Sequence, residues 1–239
     1  ENQALNQIYR DLWLLELDVQ EMQSLFFTLI DESEVAEKLS SQLVEFKRKC
    51  TKHDIGQRGN NTLNKLVPQL LYEVLTYEEN DVQTDAPFAS SEIKHSSELF
   101  ERIFDILLTI VGRTTYLDLL LENPAVRKRL MTLSANSQWV AKQIKAFPLL
   151  LDELLHPAYL QTDQAELSAW RDEYENELRL QLLRVEPDDV EAQMDALRYF
   201  KLTQQLRIAA ADITGTLPIN NVSDKLTVLA EVLLGQVID

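Results

Sequence analysis

Apolar residues recur at Leu5, Ile8, Leu12, Leu15, Val19, Met22, Phe26 and Leu29, separated alternately by three and four positions. An α-helix repeats about every 3.6 residues, so this spacing lines one face of a helix with side chains that avoid water. It predicts one long N-terminal helix within a first region, residues 1–33. Trp13, Leu14 and Phe27 widen the seam, which favours a bundle over an isolated coiled coil. The charged run Asp31-Glu32-Ser33-Glu34 ends it.

A second region, 34–97, starts with helical spacing over Val35 to Phe46. It passes through a turn, His53 to Asn61, where Gly56 and Gly59 can supply positive φ. Leu63 to Tyr77 reads as a helix kinked at Pro68, whose ring removes one hydrogen bond. Residues 78–97 are polar, contain Pro87 and lack periodicity, so they read as a linker. In the third region, 98–239, Leu99, Phe100, Ile103, Phe104, Ile106, Leu107, Leu108, Ile110 and Val111 are apolar nearly all round, which predicts a central helix. Gly112 can end it, and Thr115 with Asp118 resembles a capping box for the next helix. Short helices follow, punctuated by Pro124, Pro148 and Pro157. Asp163 with Glu166 can cap a helix whose face is Leu167, Trp170, Tyr174 and Leu178. Pro187, Asp188, Asp189 and Glu191 suit another helix start. The chain closes on a helical hairpin, Leu197 to Leu234. Ala209 to Ala211 permit close packing, Gly215 ends the first arm in the left-handed conformation, and Pro218 keeps it ended. Asn221 or Ser223 can cap the second arm, whose Leu226, Leu229, Leu233 and Val237 share helical spacing. The fold class is all-α: a multi-helix bundle with a long N-terminal helix and short, proline-punctuated helices.

Composition agrees, with 5 glycines and 7 prolines in 239 residues. The formal net charge of -16 argues against nucleic acid and anionic membranes as partners. Two short basic runs, Lys47 to Lys52 and Arg127-Lys128-Arg129, read as solvated helix faces. A single cysteine, Cys50, excludes an internal disulfide and fits a cytoplasmic setting. The longest apolar run, Phe104 to Val111, is far shorter than the ~20 residues a membrane helix needs. A first residue that is Glu rather than Met suggests a piece of a longer protein.

Candidate chemistry is sparse. His53, His95 and His156 are scattered, with no His-x3-His or Cys-x2-Cys pair to ligate a metal. No Gly-x-Ser-x-Gly is present. Cys50 and His53 fall three apart on a helix without a third partner. Ile55-Gly56-Gln57-Arg58-Gly59 follows no strand and precedes no Gly-Lys-Ser/Thr, so it is not a phosphate loop. The sequence therefore assigns no catalytic, cofactor-binding or metal residue.

The hairpin residues Arg207-Ile208-Ala209-Ala210-Ala211-Asp212-Ile213, Val222-Ser223-Asp224-Lys225-Leu226-Thr227 and Leu229-Ala230-Glu231 resemble glutamine synthetase adenylyltransferase, the bacterial bifunctional adenylyltransferase and adenylyl-removing enzyme. Phe147-Pro148-Leu149-Leu150-Leu151-Asp152-Glu153-Leu154-Leu155 is similar to a pattern found ahead of each nucleotidyltransferase core of that family, and Ile55-Gly-x-Arg58-Gly59 also recurs there. The resemblance runs patchily from about Leu25 to the end and is strongest from Arg113 to Glu231. It implies a central helical segment, ahead of the second nucleotidyltransferase core, that joins two catalytic halves and relays effector state. Family catalysis uses a Gly-Ser motif with an Asp-x-Asp pair holding magnesium; this chain has no such combination, so the resemblance implies ATP and Mg2+ for the parent enzyme and none in this stretch. Implied partners are glutamine synthetase, the PII signalling protein, glutamine as an effector and the catalytic halves of the same chain. Gly56, Arg58, Gly59, Arg113, Arg207, Asp212 and Gly215 stand as interaction or hinge candidates. A second reading, an independent helical scaffold dimerising through the Leu5–Leu29 seam, predicts association that Leu15→Glu abolishes.

Overall fold

A computed structural model describes residues 2–77, 96–155 and 167–238. The 78–97 linker over residues 78–95, His95, His156, Pro157 and the Asp163/Glu166 cap lie outside the described residues, as does the side chain of Leu5. Among the described residues every regular element is helical, in agreement with the all-α expectation. These residues form two compact units, one up to Leu155 and the other from Leu167 onward.

The first unit begins with α1 (Asn2–Leu14) and α2 (Val19–Phe26). The expected long helix is therefore two helices with a joint between them. Asp18 turns the chain out of the helix: its carboxylate accepts from the Glu21 N–H while the Glu21 carboxylate accepts from the Asp18 N–H, a complete capping box. The seam divides accordingly. Leu12, Met22 and Phe26 are fully buried, but Leu15 and Val19 at the joint are 49% and 43% exposed. Helix α1 packs on α4 (Gln57–Leu75) and α2 on α3 (Ser33–Cys50), so in this structure the seam is used within the chain and offers no continuous face for a dimer.

Helix α4 starts at Gln57, six residues earlier than expected, so Gly59 to Asn61 are helical. Neither Gly56 nor Gly59 has positive φ, because Gly56 is the extended cap of α4 and Gly59 lies in its first turn. Pro68 sits buried within α4. Helix α5 (Ser96–Ile110) is the centre of the unit, with all of Leu99, Phe100, Ile103, Phe104, Ile106, Leu107 and Ile110 buried. It packs against α3, α4, α6 (Thr114–Glu122), α7 (Pro124–Asn136), α8 (Gln138–Ala146) and a 3-10 helix, Pro148–Leu154. Phe100 stacks on Phe104 at 3.9 Å, and Phe46 of α3 meets Phe104 edge-on at 4.9 Å between ring centroids.

The second unit holds α9 (Leu167–Leu182), α10 (Val190–Ile213) and α11 (Ile219–Ile238), each touching the other two. Trp170, Tyr174 and Leu178 bury one face of α9, while Leu167 stays exposed. Asp189 caps α10 by accepting from the Ala192 N–H. As the sequence indicated, Gly215 closes α10 at φ 69. The Thr216 N–H reaches the Ala211 carbonyl and the Gly215 N–H reaches that of Asp212, the paired bonds of a Schellman ending. Helix α11 then starts directly after Pro218, so Asn221 and Ser223 lie inside it rather than capping it. Its buried face is Val228, Leu229 and Val232, while Leu226 and Val237 are exposed.

Candidate functional site

Four of the candidate residues meet where α4 and α6 begin. Gly56 caps α4, and one turn in, Gly59 lies against α6. A Cβ on Gly59 would come within 2.9 Å of Ile55 Cγ2, in the turn before α4, and within ordinary contact of Thr114 Oγ1 at 3.6 Å, so the missing side chain makes room for Ile55. Arg113 is the N-cap of α6 and makes no side-chain cap bond. The expected Thr115/Asp118 capping box is absent because α6 begins at Thr114, which puts Thr115 inside the helix, and the Asp118 carboxylate is engaged elsewhere. One oxygen accepts from Arg58 Nη2 at 2.6 Å and the other from Thr62 Oγ1 at 2.9 Å. Arg58 is largely exposed, so the geometry fixes register more than it adds stability.

The far end of α6 is fastened by a residue the sequence reading missed. Arg127, 5% exposed, donates through Nη1 to the carbonyls of Leu120 and Leu121 at 2.6 and 3.0 Å. Its Nε donates to both oxygens of Glu73 on α4, at 2.8 and 3.1 Å. Burial raises the Glu73 pKa, and Arg127 pulls it back down. The expectation of a solvated Arg127-Lys128-Arg129 face thus fails at Arg127. A signal was present: Val126, Leu130, Met131, Leu133 and Ser134 set the buried stripe of α7, and Arg127 falls within it.

The same device recurs. Arg129 Nη1 donates to the Leu154 carbonyl at 2.6 Å, at the end of the 3-10 helix. Arg102 Nη1 donates to the Ser134 carbonyl in the last turn of α7 at 2.7 Å. Lys47 Nζ reaches the Leu15 carbonyl just past α1 at 2.8 Å. Each cation meets the carbonyls that a helix leaves without an internal partner, where the helix dipole also favours positive charge.

In the second unit Arg207 and Gln204 of α10 both donate to Glu177 of α9, at 3.0 and 2.8 Å. Arg171 of α9 pairs with Glu231 of α11, and the Lys225 ammonium lies 5.0 Å from the Trp170 ring centroid. Asp212 points to solvent while its carbonyl serves the turn at Gly215. Arg207, Asp212 and Gly215 therefore form a second group, in a separate unit from Gly56, Arg58, Gly59 and Arg113.

A groove of about 670 Å³ opens beside the α1–α2 joint, walled by Trp13 to Asp18 and floored by Val44, Cys50, Ile55 and Leu63. Burial pushes the Cys50 thiol up to about 12, the reverse of an activated nucleophile. Among the described residues no three His, Cys, Asp or Glu side chains are placed to hold a metal ion, and no helix is long and apolar enough to cross a membrane.

The family model for glutamate-ammonia ligase adenylyltransferase matches residues 127–239. The chain is 46% identical over 96% of its length to the bifunctional glutamine synthetase adenylyltransferase/adenylyl-removing enzyme of Alteromonas mediterranea. It is 44% identical over 95% of its length to the protein of that name from Shewanella oneidensis, and 43% identical over 95% to that from Shewanella woodyi. It spans only 22%, 21% and 22% of these relatives. The agreement of family model and relatives places this chain in the glutamate-ammonia ligase adenylyltransferase family.

Proposed function

We propose that this chain is the central helical connecting and regulatory segment of the bifunctional enzyme that adenylylates and deadenylylates glutamine synthetase, in a cytoplasmic setting. The observation that carries the reading is the extent of the match: almost all of this chain aligns to about a fifth of each relative. Helices that, among the described residues, are fastened end to side by arginine and lysine suit the transmission of position rather than bond chemistry. Glutamine synthetase enters as the substrate of the parent, following the names of the relatives. PII protein and glutamine enter as effectors acting on these helices. ATP and Mg2+ enter with the catalytic halves of the parent, since the sequence lacks the Gly-Ser and Asp-x-Asp combination that the resemblance attaches to nucleotidyl transfer.

Calorimetric titration of this chain with PII protein, with and without glutamine, tests the regulatory part. Glutamine-dependent binding supports a regulatory site within these helices, whereas absence of binding under both conditions overturns it. Incubation with glutamine synthetase, ATP and magnesium tests the rest: the chain alone transfers no adenylyl group, and measurable transfer would refute the assignment of catalysis to other parts of the parent.

A further inference from the structure

We propose that the Leu15–Asp18 joint is a two-state element, bent in this structure and helical throughout in its other state, so that Asn2–Phe26 becomes one helix. The proposal deepens the regulatory reading, on which it rests for its use but not for its existence.

The apolar period supplies the first argument. Ile8, Leu12, Leu15, Val19, Met22 and Phe26 keep alternating spacings of four and three straight through the joint. Two helices that were always separate would have no reason to stay in phase across four non-helical residues. The phase has meaning only if residues 15 to 18 complete the helix. The bent state leaves Leu15 and Val19, the seam members at the joint, about half exposed.

Nothing covalent forbids the straight form. The joint is Leu-Glu-Leu-Asp, without glycine or proline. What holds the bend is a set of polar contacts, each competing with one helical bond. The Asp18 N–H donates to the Glu21 carboxylate, where a continuous helix would direct it to the Leu14 carbonyl. The Leu15 carbonyl accepts from Lys47, where a continuous helix would give it the Val19 N–H. The two helices also rest on different partners, α1 on α4 and α2 on α3. Straightening therefore removes one of these seats and takes down the wall that Trp13 to Asp18 give the groove. Such an exchange between discrete contact sets is what a bistable element requires.

The test labels Arg10→Cys and Ser24→Cys with nitroxides in the full 239-residue chain; both positions are exposed, and buried Cys50 stays unlabelled. In a continuous helix these Cα atoms are 14 positions apart, about 21 Å. Glu21→Ala with Lys47→Met removes the two side-chain groups that hold the bend in place of helical bonds, while Leu17→Pro forbids the straight form. The expected result is at least a threefold larger narrow population near that distance in the first variant than in the second, with slowed amide exchange at Glu16 and Leu17. Lys47→Met alone is expected to move both readouts in the same direction. An unchanged distance, or unchanged exchange at Glu16 and Leu17, overturns the proposal. Neither readout depends on PII, glutamine or transfer activity, so its failure is distinguishable from failure of the regulatory reading.

Discussion

Arg127→Met offers a sharp test of how α6 is held. The substitution keeps most of the aliphatic volume on α7 but deletes four hydrogen bonds: two to Glu73, and one each to the carbonyls of Leu120 and Leu121. Glu73 is left as a carboxylate whose side chain is only 27% exposed, without its cation. Breaking a buried pair from one side costs about 3–5 kcal/mol, and the partial exposure of Glu73 places this case near 3. A solvated surface arginine would cost under ~0.5 kcal/mol, so the two readings of this residue are separated sixfold. The expected consequence is a first unit whose melting temperature falls by roughly 10 °C. Calorimetry measures the shift, and amide exchange assigns it to α6 and α7. Adding Glu73→Leu to Arg127→Met should recover a good part of the loss by removing the stranded charge. The pH dependence has a definite sign. Burial raises the Glu73 pKa in the folded state and Arg127 lowers it, so the variant retains only the raising influence. A carboxyl with a raised folded pKa contributes stability below its unfolded pKa and loses it as pH rises through the folded value. The deficit of Arg127→Met should therefore be smaller near pH ~5 than near pH ~7. A loss below ~1 kcal/mol, or a double variant no better than the single, would refute the reasoning.

Three further outcomes are expected. Gly59→Val should destabilise the first unit by about 1–3 kcal/mol by crowding Ile55 in the turn before α4, read as a lower urea midpoint; an unchanged midpoint would show that Ile55 can shift freely. Gly215→Val should cost the second unit at least ~1–2 kcal/mol, since its φ of 69 is strained for a residue with a Cβ; in the parent it should also impair transfer, and equal stability with equal activity would contradict both points. Cys50 should resist alkylation by iodoacetamide near pH ~8 in the native protein and react on unfolding, because burial holds its thiol protonated; native labelling as fast as a free thiol would show that the groove exposes it.

What could be read from the sequence depended on how local its cause was. The left-handed closure at Gly215 and the apolar girth of α5 are stated by residues adjacent in the chain, and both appear where expected. The α1–α2 joint was invisible to periodicity because the seam runs through it unbroken. Only the Asp18/Glu21 pair marks the break, and its spacing also suits the interior of a helix. Asp118 was read as a local cap, yet its partners, Arg58 and Thr62, lie 60 and 56 positions away. Arg127 and Glu73 are separated by 54 positions. Pairings of that range leave no trace in spacing, and charge alone suggests water. The hinge candidates likewise came from short motifs, whereas the structure gives Gly59 a packing reason and Arg58 a bonding partner.

The cations seated on helix ends bear on the order in which this protein assembles. Helices α6 and α8 have nine residues each, too short to persist alone in water. The closing bonds of α6 come from α7, which follows it, and its flank is supplied by α4, whose Arg58 and Glu73 come 56 and 49 positions before Thr114 and Glu122, respectively. Its formation is thus contingent on neighbours from both directions along the chain. An isolated peptide covering residues 114–122 should be a coil, and a nascent chain should acquire this helix only after α7 has emerged from the ribosome. Within the first unit α6 is accordingly set last among α4, α6 and α7, as a keystone is set in an arch.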